Sequence, residues 1–98
     1  MTETTRCIIE LIKAIPPGRV SSYGRIALAA GLRNGARQTV RVLHSMSEKH
    51  SLPWHRVIRS DGSIGLEGEG RELQISLLES EGVEVSPDGR VNMGEFGV

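Results

Sequence analysis

The chain contains little of what usually staples a fold or crosses a membrane. Its 98 residues include one cysteine, one tryptophan, one tyrosine and one phenylalanine. A single cysteine excludes an internal disulfide and argues against a cysteine-rich metal site. No apolar run approaches the ~20 residues that span a bilayer, and the N-terminus lacks the basic and then apolar order of a signal peptide. We therefore expect one small cytoplasmic domain with no metal, cofactor or membrane partner.

Charge is balanced overall but is unevenly distributed along the chain. Residues 1–60 hold ten Lys or Arg and three Asp or Glu, whereas residues 61–98 hold two and nine. Such a division suits a protein with one face that meets nucleic acid and another that does not. The division can also vanish when the chain folds, so charge alone assigns no function.

Helical spacing of apolar residues predicts a first helix over about 3–14 and a fourth over about 70–81. In the first helix, Cys7 lies on the apolar side and is expected in the core. Pro16-Pro17-Gly18 ends this helix. In the fourth helix, the residues expected to be buried are Leu73, Leu77 and Leu78, and Gly82 is expected to close it.

Two further helices, over about 23–30 and 35–49, are separated by a tight turn and predict a helix-turn-helix. The second of them directs Val40, Leu43 and Met46 inward. The expected caps are Ser21 or Ser22 and Asn34 at the two N-termini, and Gly31 at the C-terminus between them.

Two turn signals predict short hairpins in the second half of the chain. Ser60-Asp61-Gly62 joins residues 56–59 to 63–65, and Pro87-Asp88-Gly89 joins residues 83–85 to 90–93. The last five residues carry no pattern and are expected to be loose. The fold class is therefore mainly α with short β hairpins (α+β), a winged helix-turn-helix in a single domain 1–98. Its parts are the helix-turn-helix at about 22–49, a site and wing at 53–70, and a helix and hairpin at 70–93.

The most specific motif is Pro53-Trp54-His55-Arg56-Val57. With Cys at position 54 it would be the reactive-site signature of repair proteins that take an alkyl group from O6 of guanine onto their own cysteine. The chain resembles the DNA-binding half of O6-alkylguanine-DNA alkyltransferases from about Arg6 to Val85. It resembles more closely the alkyltransferase-like proteins, which carry Trp at that position. The matching segments, in order and correctly spaced, are 15–24, 36–37, 53–58, 61–65 and 77–82.

Trp54 changes the chemistry that the resemblance implies. An indole offers one N–H donor and no nucleophile, so the site is expected to have no catalytic residue. The resemblance then implies recognition of damaged DNA without repair. At the mouth of a base-sized pocket, Trp54 would pack against the alkyl group or the base. The alternative is an ordinary core tryptophan, whose N–H would need a buried partner.

The resemblance gives two residues a role in flipping the damaged base. Arg37 matches the arginine finger that enters the base stack and fills the gap left by the flipped guanine. Tyr23 matches the tyrosine that helps to rotate the nucleotide and contacts the flipped base. The alternatives are an arginine that touches phosphate only and a tyrosine that is buried in the core.

The recognition helix of this family lies in the minor groove, which favours small residues where backbone and DNA approach. Gly35 and Ala36 meet that requirement, and Gln38 is larger and could add a groove contact. Base specificity beyond the lesion is expected to be weak, because the minor groove separates little more than A·T from G·C.

By the same resemblance, main-chain groups form most of the base pocket. The carbonyls of Trp54 and Val57 would accept from the guanine exocyclic amine, and the N–H of Gly68 would lie near O6. The glycine-rich loop 65–70 would line the alkyl group, and its glycines suggest room for groups larger than methyl.

His55 and Glu81 match the pair that activates the cysteine in the transferases. General-base catalysis needs a nucleophile to deprotonate, so we expect this pair to hold the site's backbone instead. Arg56 is expected to tie the turn to the following strand.

The resemblance thus implies a monomeric, non-enzymatic sensor that binds O6-alkylguanine in double-stranded DNA and marks it for nucleotide excision repair proteins. Two other hypotheses remain open from the residues. One is residual alkyl transfer to Cys7 or hydrolysis by His55. The other is a winged-helix transcription regulator that binds undamaged DNA.

Overall fold

The computed structural model describes all 98 residues and is mainly helical. The elements in chain order are α1 (Glu3–Lys13), β1 (Ser21–Ser22), α2 (Tyr23–Ala29), α3 (Ala36–His50), a 3₁₀ turn (Trp54–Arg56), β2 (Val57–Ile58), α4 (Gly68–Ser80) and α5 (Met93–Phe96). Helices α2 and α3 form the predicted helix-turn-helix, and the four long helices lie within two residues of their predicted bounds. No helix of the chain combines the length and apolar character needed to cross a membrane.

Local capping explains why α2 begins and ends where it does. The Ser22 hydroxyl accepts a 3.1 Å hydrogen bond from the N–H of Arg25, as expected of an N-cap. At the other end Gly31 has φ of +87°, the left-handed conformation that closes a helix at low cost to glycine. The predicted cap of α3 was wrong. Asn34 itself is left-handed (φ +53°), and Gly35 occupies the cap position without any side-chain hydrogen bond.

Two hydrophobic cores meet at β2. The first core lies among the helices α1, α2 and α3 and comprises Ile8, Ile9, Ile12, Ile15, Ile26, Val42, Leu52 and Val57. The second core lies under α4 and the C-terminal segment and comprises Val20, Ile58, Ile64, Leu78, Val83 and Val91. Successive strand residues point to opposite faces, so β2 directs Val57 into one core and Ile58 into the other.

The sheet is parallel, which corrects the first predicted hairpin. Ser21 pairs with Val57 and Ser22 with Ile58, so β1 before the helix-turn-helix lies beside β2 after it. The predicted turn at 60–62 does form, because the N–H of Gly62 donates to the carbonyl of Arg59 at 2.9 Å. One hydrogen bond also joins the predicted arms, from the N–H of Arg59 to the carbonyl of Ser63 at 3.1 Å, but the bridge that Ser63 forms is with Arg90. The second hairpin is present as a single Val85–Val91 bridge.

The C-terminus is ordered, contrary to expectation. Asn92 caps α5 through its side-chain oxygen, and the chain then pairs with Val20. The Val20 N–H donates to the carbonyl of Phe96, and the Val98 N–H donates to the carbonyl of Val20, both at 2.9 Å. The C-terminal segment therefore pairs, through one parallel bridge between Gly97 and Val20, with the residues just before β1.

Two predicted core residues face solvent. Cys7 is exposed, because α1 buries Ile8, Ile9 and Ile12 on the neighbouring side. Leu73 is 52% exposed, because the neighbouring Gln74 takes the buried position on α4. Leu78, also predicted to be buried, is fully buried, so the inner face of α4 was predicted in part.

Candidate nucleic-acid interface

A cavity of about 230 Å³ lies between the helix-turn-helix and the Trp54 turn. Its wall is mostly apolar and comes from five separate parts of the chain. The lining residues are Tyr23, Val40, Leu43, His44, Ser47, Trp54, Leu66 and Gln74. The structure thus brings together Tyr23 and Trp54, the two side chains expected to contact a flipped base.

Tyr23 is the first residue of α2 and is fixed through its main chain. The buried hydroxyl of Thr39 on α3 donates a 3.0 Å hydrogen bond to the Tyr23 carbonyl. The ring is half-buried and packs partly against the first core, while its hydroxyl makes no hydrogen bond within the protein. Burial raises the pKa of the Tyr23 phenol, and the positive charge of Arg59 partly offsets the rise. The phenol is therefore a neutral donor at physiological pH, available to a ligand.

Trp54 begins the 3₁₀ turn, and its main-chain N–H donates to the carbonyl of Leu52 at 2.8 Å. The side chain is half-buried and stands edge-on to His55, with ring centroids 6.1 Å apart and planes at 86°. Its indole N–H has no protein partner and is not sealed from solvent. This arrangement differs from that of a core tryptophan, whose N–H would be buried and bonded.

Gln74 is a lining residue that the sequence did not single out. Its side chain is 2% exposed although it is polar. The amide nitrogen donates to two main-chain carbonyls, His55 at 3.1 Å and Val57 at 3.2 Å. Gln74 therefore holds the end of the Trp54 turn against α4. The only sequence signal for the burial of Gln74 was its position one helical turn before Leu78, on the same face of α4.

Beneath the turn, Glu81 collects three donors. The Arg56 guanidinium binds it in a fork, with Nη2 to Oε2 at 2.7 Å and Nε to Oε1 at 3.0 Å. His55 Nε2 lies 2.8 Å from Oε2, and the N–H of Gly18 donates at 3.2 Å. The Arg56 hydrogen bonds, followed by those of His55 and Gly18, lower the pKa of Glu81 to about 2. The predicted His55–Glu81 contact exists, and its role as a structural pair stays a prediction.

Arg56 differs from expectation in what it joins. Besides Glu81, its Nη1 donates to the carbonyl of Ile15 at 2.9 Å. It therefore ties the Trp54 turn to the ends of α1 and α4, whereas the sequence predicted a tie to the following strand. Because both charged side chains are largely buried, solvent weakens this fork less than it weakens a surface pair.

The residues assigned to the DNA groove lie at the start of α3. Arg37 and Gln38 are exposed, and neither side chain makes a hydrogen bond or ion pair within the protein. Gly35 has an internal reason to be small, because a Cβ there would lie 2.6 Å from the Leu32 Cβ and 3.1 Å from the Ala27 Cβ. An approach of DNA to Gly35 and Ala36 stays a prediction.

Val57 and Gly68, both assigned to the base pocket, do not line the cavity. Val57 is fully buried, and its carbonyl accepts from Gln74. Gly68 is exposed with φ of +62° and begins α4, where the first amides have no partner inside the helix. Leu66, two residues earlier, is the loop residue that reaches the cavity.

Most basic side chains of the first half are free of acidic partners. Apart from Arg56, no Lys or Arg among residues 1–60 forms an ion pair. Arg90, in the acidic half, lies near Asp61 and Asp88. No group of three or more His, Cys, Asp or Glu side chains is arranged to hold a metal ion.

A helix-turn-helix that flanks an aromatic-lined cavity, with unpaired arginines on its outer surface, defines a DNA-binding domain of the winged-helix class. The sequence profile of the family described as "6-O-methylguanine DNA methyltransferase, DNA binding domain" matches residues 3–83. A relative named DNA base-flipping protein, from Vibrio parahaemolyticus, is 42% identical over 89 residues, which are 91% of this chain and 89% of that protein.

Two findings concern fission yeast. Alkyltransferase-like protein 1 of Schizosaccharomyces pombe is 35% identical over 98 residues, covering 98% of this chain and 88% of the relative. The crystal structure of S. pombe Atl1 in complex with damaged DNA containing O6-carboxymethylguanine superimposes with a TM-score of 0.87 at 33% identity, covering 100% of this chain and 96% of that chain. The chain therefore belongs to the O6-methylguanine-DNA methyltransferase family, in its alkyltransferase-like branch.

Proposed function

We propose that this protein is a non-enzymatic sensor of O6-alkylguanine in double-stranded DNA. It binds the minor groove through α3, flips the alkylated base into the cavity beside Trp54, and does not transfer the alkyl group. The observation that carries the proposal is the cavity beside the helix-turn-helix, which both Tyr23 and Trp54 line. Flipping costs a few kcal/mol, which stacking on an aromatic side chain and a donor from Tyr23 can offset.

The surface around the cavity supports DNA binding. The start of α3 carries no side-chain cap, so its first amides are available to a phosphate. Arg33, Arg37, Arg41 and Arg59 are exposed without acidic partners. Binding is expected to weaken steeply with salt, since phosphate contacts release counterions.

The absence of alkyl transfer rests on where the nucleophiles lie. Cys7 is on α1 and does not line the cavity. His55 is engaged with Glu81, and the residue beside it at the cavity is an indole without nucleophilic character. By family resemblance, the proposed complex marks the lesion for nucleotide excision repair proteins, and the protein acts as a cytoplasmic monomer.

A titration of three matched duplexes tests the proposal, with O6-methylguanine, guanine or a larger O6-alkylguanine at one position. We expect at least tenfold tighter binding to both alkylated duplexes, measured by fluorescence anisotropy at fixed salt. Equal affinity for all three duplexes would contradict the sensor and favour a regulator of undamaged DNA. A duplex labelled in the alkyl group, incubated with excess protein, is expected to keep its label. Transfer of label to protein, or release of free base, would show an enzyme instead.

A further inference from the structure

The parallel pairing of β1 with β2 places Arg59 beside Tyr23. Ser22 and Ile58 are paired at the ends of the two strands, and the residues that follow them are Tyr23 and Arg59. The turn after β2 holds the main chain of Arg59 from the other side, because its carbonyl accepts from the N–H of Gly62 at 2.9 Å. Arg59 therefore has a defined place next to a residue that lines the cavity.

The side chain of Arg59 lies against Gly65, where a larger residue would displace it. A Cβ on Gly65 would lie 2.8 Å from Arg59 Nε and 3.2 Å from both Cζ and Nη2. The backbone does not require glycine there, because Gly65 does not have a positive φ. Leu66, the next residue, lines the cavity. The guanidinium is therefore held at the rim of the cavity, in space that the absence of a side chain on Gly65 provides.

No acidic group of the protein pairs with this guanidinium. Arg59 is exposed and forms no ion pair, and its side chain donates no hydrogen bond within the protein. Asp61, two residues later, accepts from the N–H and hydroxyl of Ser63 and lies 4.0 Å from Arg90. Burial raises the pKa of the Tyr23 phenol, and the charge of Arg59 is close enough to offset part of the rise. The rim thus carries an uncompensated positive charge.

The course of a flipped nucleotide indicates which anion meets this charge. Flipping rotates the nucleotide about its backbone, so the base enters the cavity while its two flanking phosphates stay outside, at the rim. A guanidinium offers a planar fork of donors that matches a phosphate. We propose that Arg59 binds a phosphate beside the flipped nucleotide, in a position that Gly65 leaves open, and so favours the flipped state over the stacked one. The inference rests on the proposed function, because it takes a flipped O6-alkylguanine as the occupant of the cavity.

The test removes the charge from each partner in turn. Arg59→Ala removes the guanidinium, and a methylphosphonate makes neutral, one at a time, the two phosphates that flank an O6-methylguanine. We expect the unmodified protein to lose about tenfold in affinity at one of the two neutral linkages, measured by fluorescence anisotropy at fixed salt. Arg59→Ala should bind the fully charged lesion duplex about tenfold more weakly, and that same linkage should weaken it no further.

Two further variants separate this contact from a general attraction to DNA. Gly65→Ala moves the Arg59 side chain but retains its charge, so it should weaken lesion binding at least about threefold and add nothing to Arg59→Ala. Arg33→Ala removes an exposed arginine from the turn between α2 and α3 and should weaken lesion and undamaged duplexes by the same factor. Arg59→Ala should bind the undamaged duplex within about twofold of the unmodified protein.

Circular dichroism verifies the fold of each variant before titration. The inference is overturned if neither neutral linkage weakens the unmodified protein, or if the losses from Arg59→Ala and the neutral linkage add. It is also overturned if Arg59→Ala weakens both duplexes equally. In each case, a preference of the unmodified protein for O6-methylguanine over guanine leaves the proposed function standing. Absence of that preference overturns both.

Discussion

The hydroxyl of Thr39 donates a 3.0 Å hydrogen bond to the main-chain carbonyl of Tyr23, and Thr39 is fully buried. The bond joins the second turn of α3 to the first residue of α2. It therefore sets the position of the helix that carries Arg37 relative to the tyrosine at the cavity. Water cannot take its place at a buried site without rearrangement.

Thr39→Val tests the energetic weight of this bond. Valine keeps the shape of threonine but removes the Thr39 donor to the Tyr23 carbonyl, so we expect the free energy of unfolding to fall by about 1–2 kcal/mol. Urea denaturation measures the loss. Ser45→Ala is the matched control on the same helix, since its exposed hydroxyl donates only to the Arg41 carbonyl. Equal losses in both variants would show that the Thr39 bond has no special weight.

Two substitutions of Arg37 distinguish its insertion into the base stack from a contact with phosphate. Lysine retains the charge but has no planar guanidinium, so the insertion role predicts that Arg37→Lys and Arg37→Ala both lose at least about tenfold in affinity for an O6-methylguanine duplex. Undamaged duplex should bind Arg37→Lys almost as well as the unmodified protein. Full lesion affinity in Arg37→Lys would identify a phosphate contact instead. Folding stability should not change, because Arg37 is exposed and forms no ion pair.

The Tyr23 hydroxyl bonds to nothing in the free protein, which separates its effect on folding from its effect on binding. We expect Tyr23→Phe to change the free energy of unfolding by less than about 0.5 kcal/mol. The same variant should bind the lesion duplex roughly five- to tenfold more weakly, since one hydrogen bond is lost. Parallel urea and anisotropy measurements decide the matter. A variant that binds as well as the unmodified protein would assign Tyr23 to packing alone.

Glu81 makes folding stability depend on acid. Its pKa in the folded protein is about 2, against 4.5 for an ordinary glutamate. A lowered folded pKa stabilises the protein above the unfolded pKa, and this contribution disappears as pH falls from about 4.5 towards 2. After screening at a partly accessible site, we expect on the order of 2 kcal/mol.

The pH dependence is isolated by comparison with a variant, because Asp61 and Asp88 in exposed turns also have lowered pKa values. Glu81→Gln should be less stable at neutral pH and should lose less stability between pH 4.5 and 2. Glu79→Gln, which changes an exposed carboxylate in the last turn of α4, should follow the unmodified protein. An unchanged acid profile in Glu81→Gln would show that the Arg56 fork does not set the pKa.

The ordered C-terminus gives a further prediction. Removal of residues 94–98 deletes both hydrogen-bond partners of the Val20 main chain and uncovers a fully buried residue. We expect the free energy of unfolding, measured by urea denaturation, to fall by about 2 kcal/mol. Glu95→Ala alters the same segment but leaves main-chain pairing intact, and should match the full chain. If the truncated protein keeps the full free energy of unfolding, the last five residues do not stabilise the fold, as the sequence predicted.

The sequence predicted the elements that depend on local signals. Ser22, Gly31 and Gly82 mark helix ends through their own conformational preferences, and all three lie where expected. The parallel pairing of β1 with β2 was not predictable, because each strand has two residues and its partner lies far away in the chain. Asn92 did carry an N-cap signal before Met93, but a one-turn helix is too short for periodicity to support it.

The candidate site divides in the same way. Tyr23 and Trp54 were found through a motif and do meet at one cavity. Gln74 was missed because helical periodicity assigned the inner face of α4 to leucines, and only tertiary hydrogen bonds reveal why an amide is buried there. The full burial of Val57 was likewise not predictable, since it results from two cores meeting at one strand.

The wall of the cavity is drawn from α2, α3, the Trp54 turn, the following loop and α4, so no single element retains a binding surface when the others separate. A base bound in the cavity would contact all of these segments, which separate from one another only in global unfolding. Occupancy and global unfolding are then linked by mass action, and a lesion duplex acts as a stabilising ligand for amides far from the DNA. No residue of the second core lines the cavity, so slowed hydrogen exchange there on addition of the lesion duplex would report that the cavity is occupied.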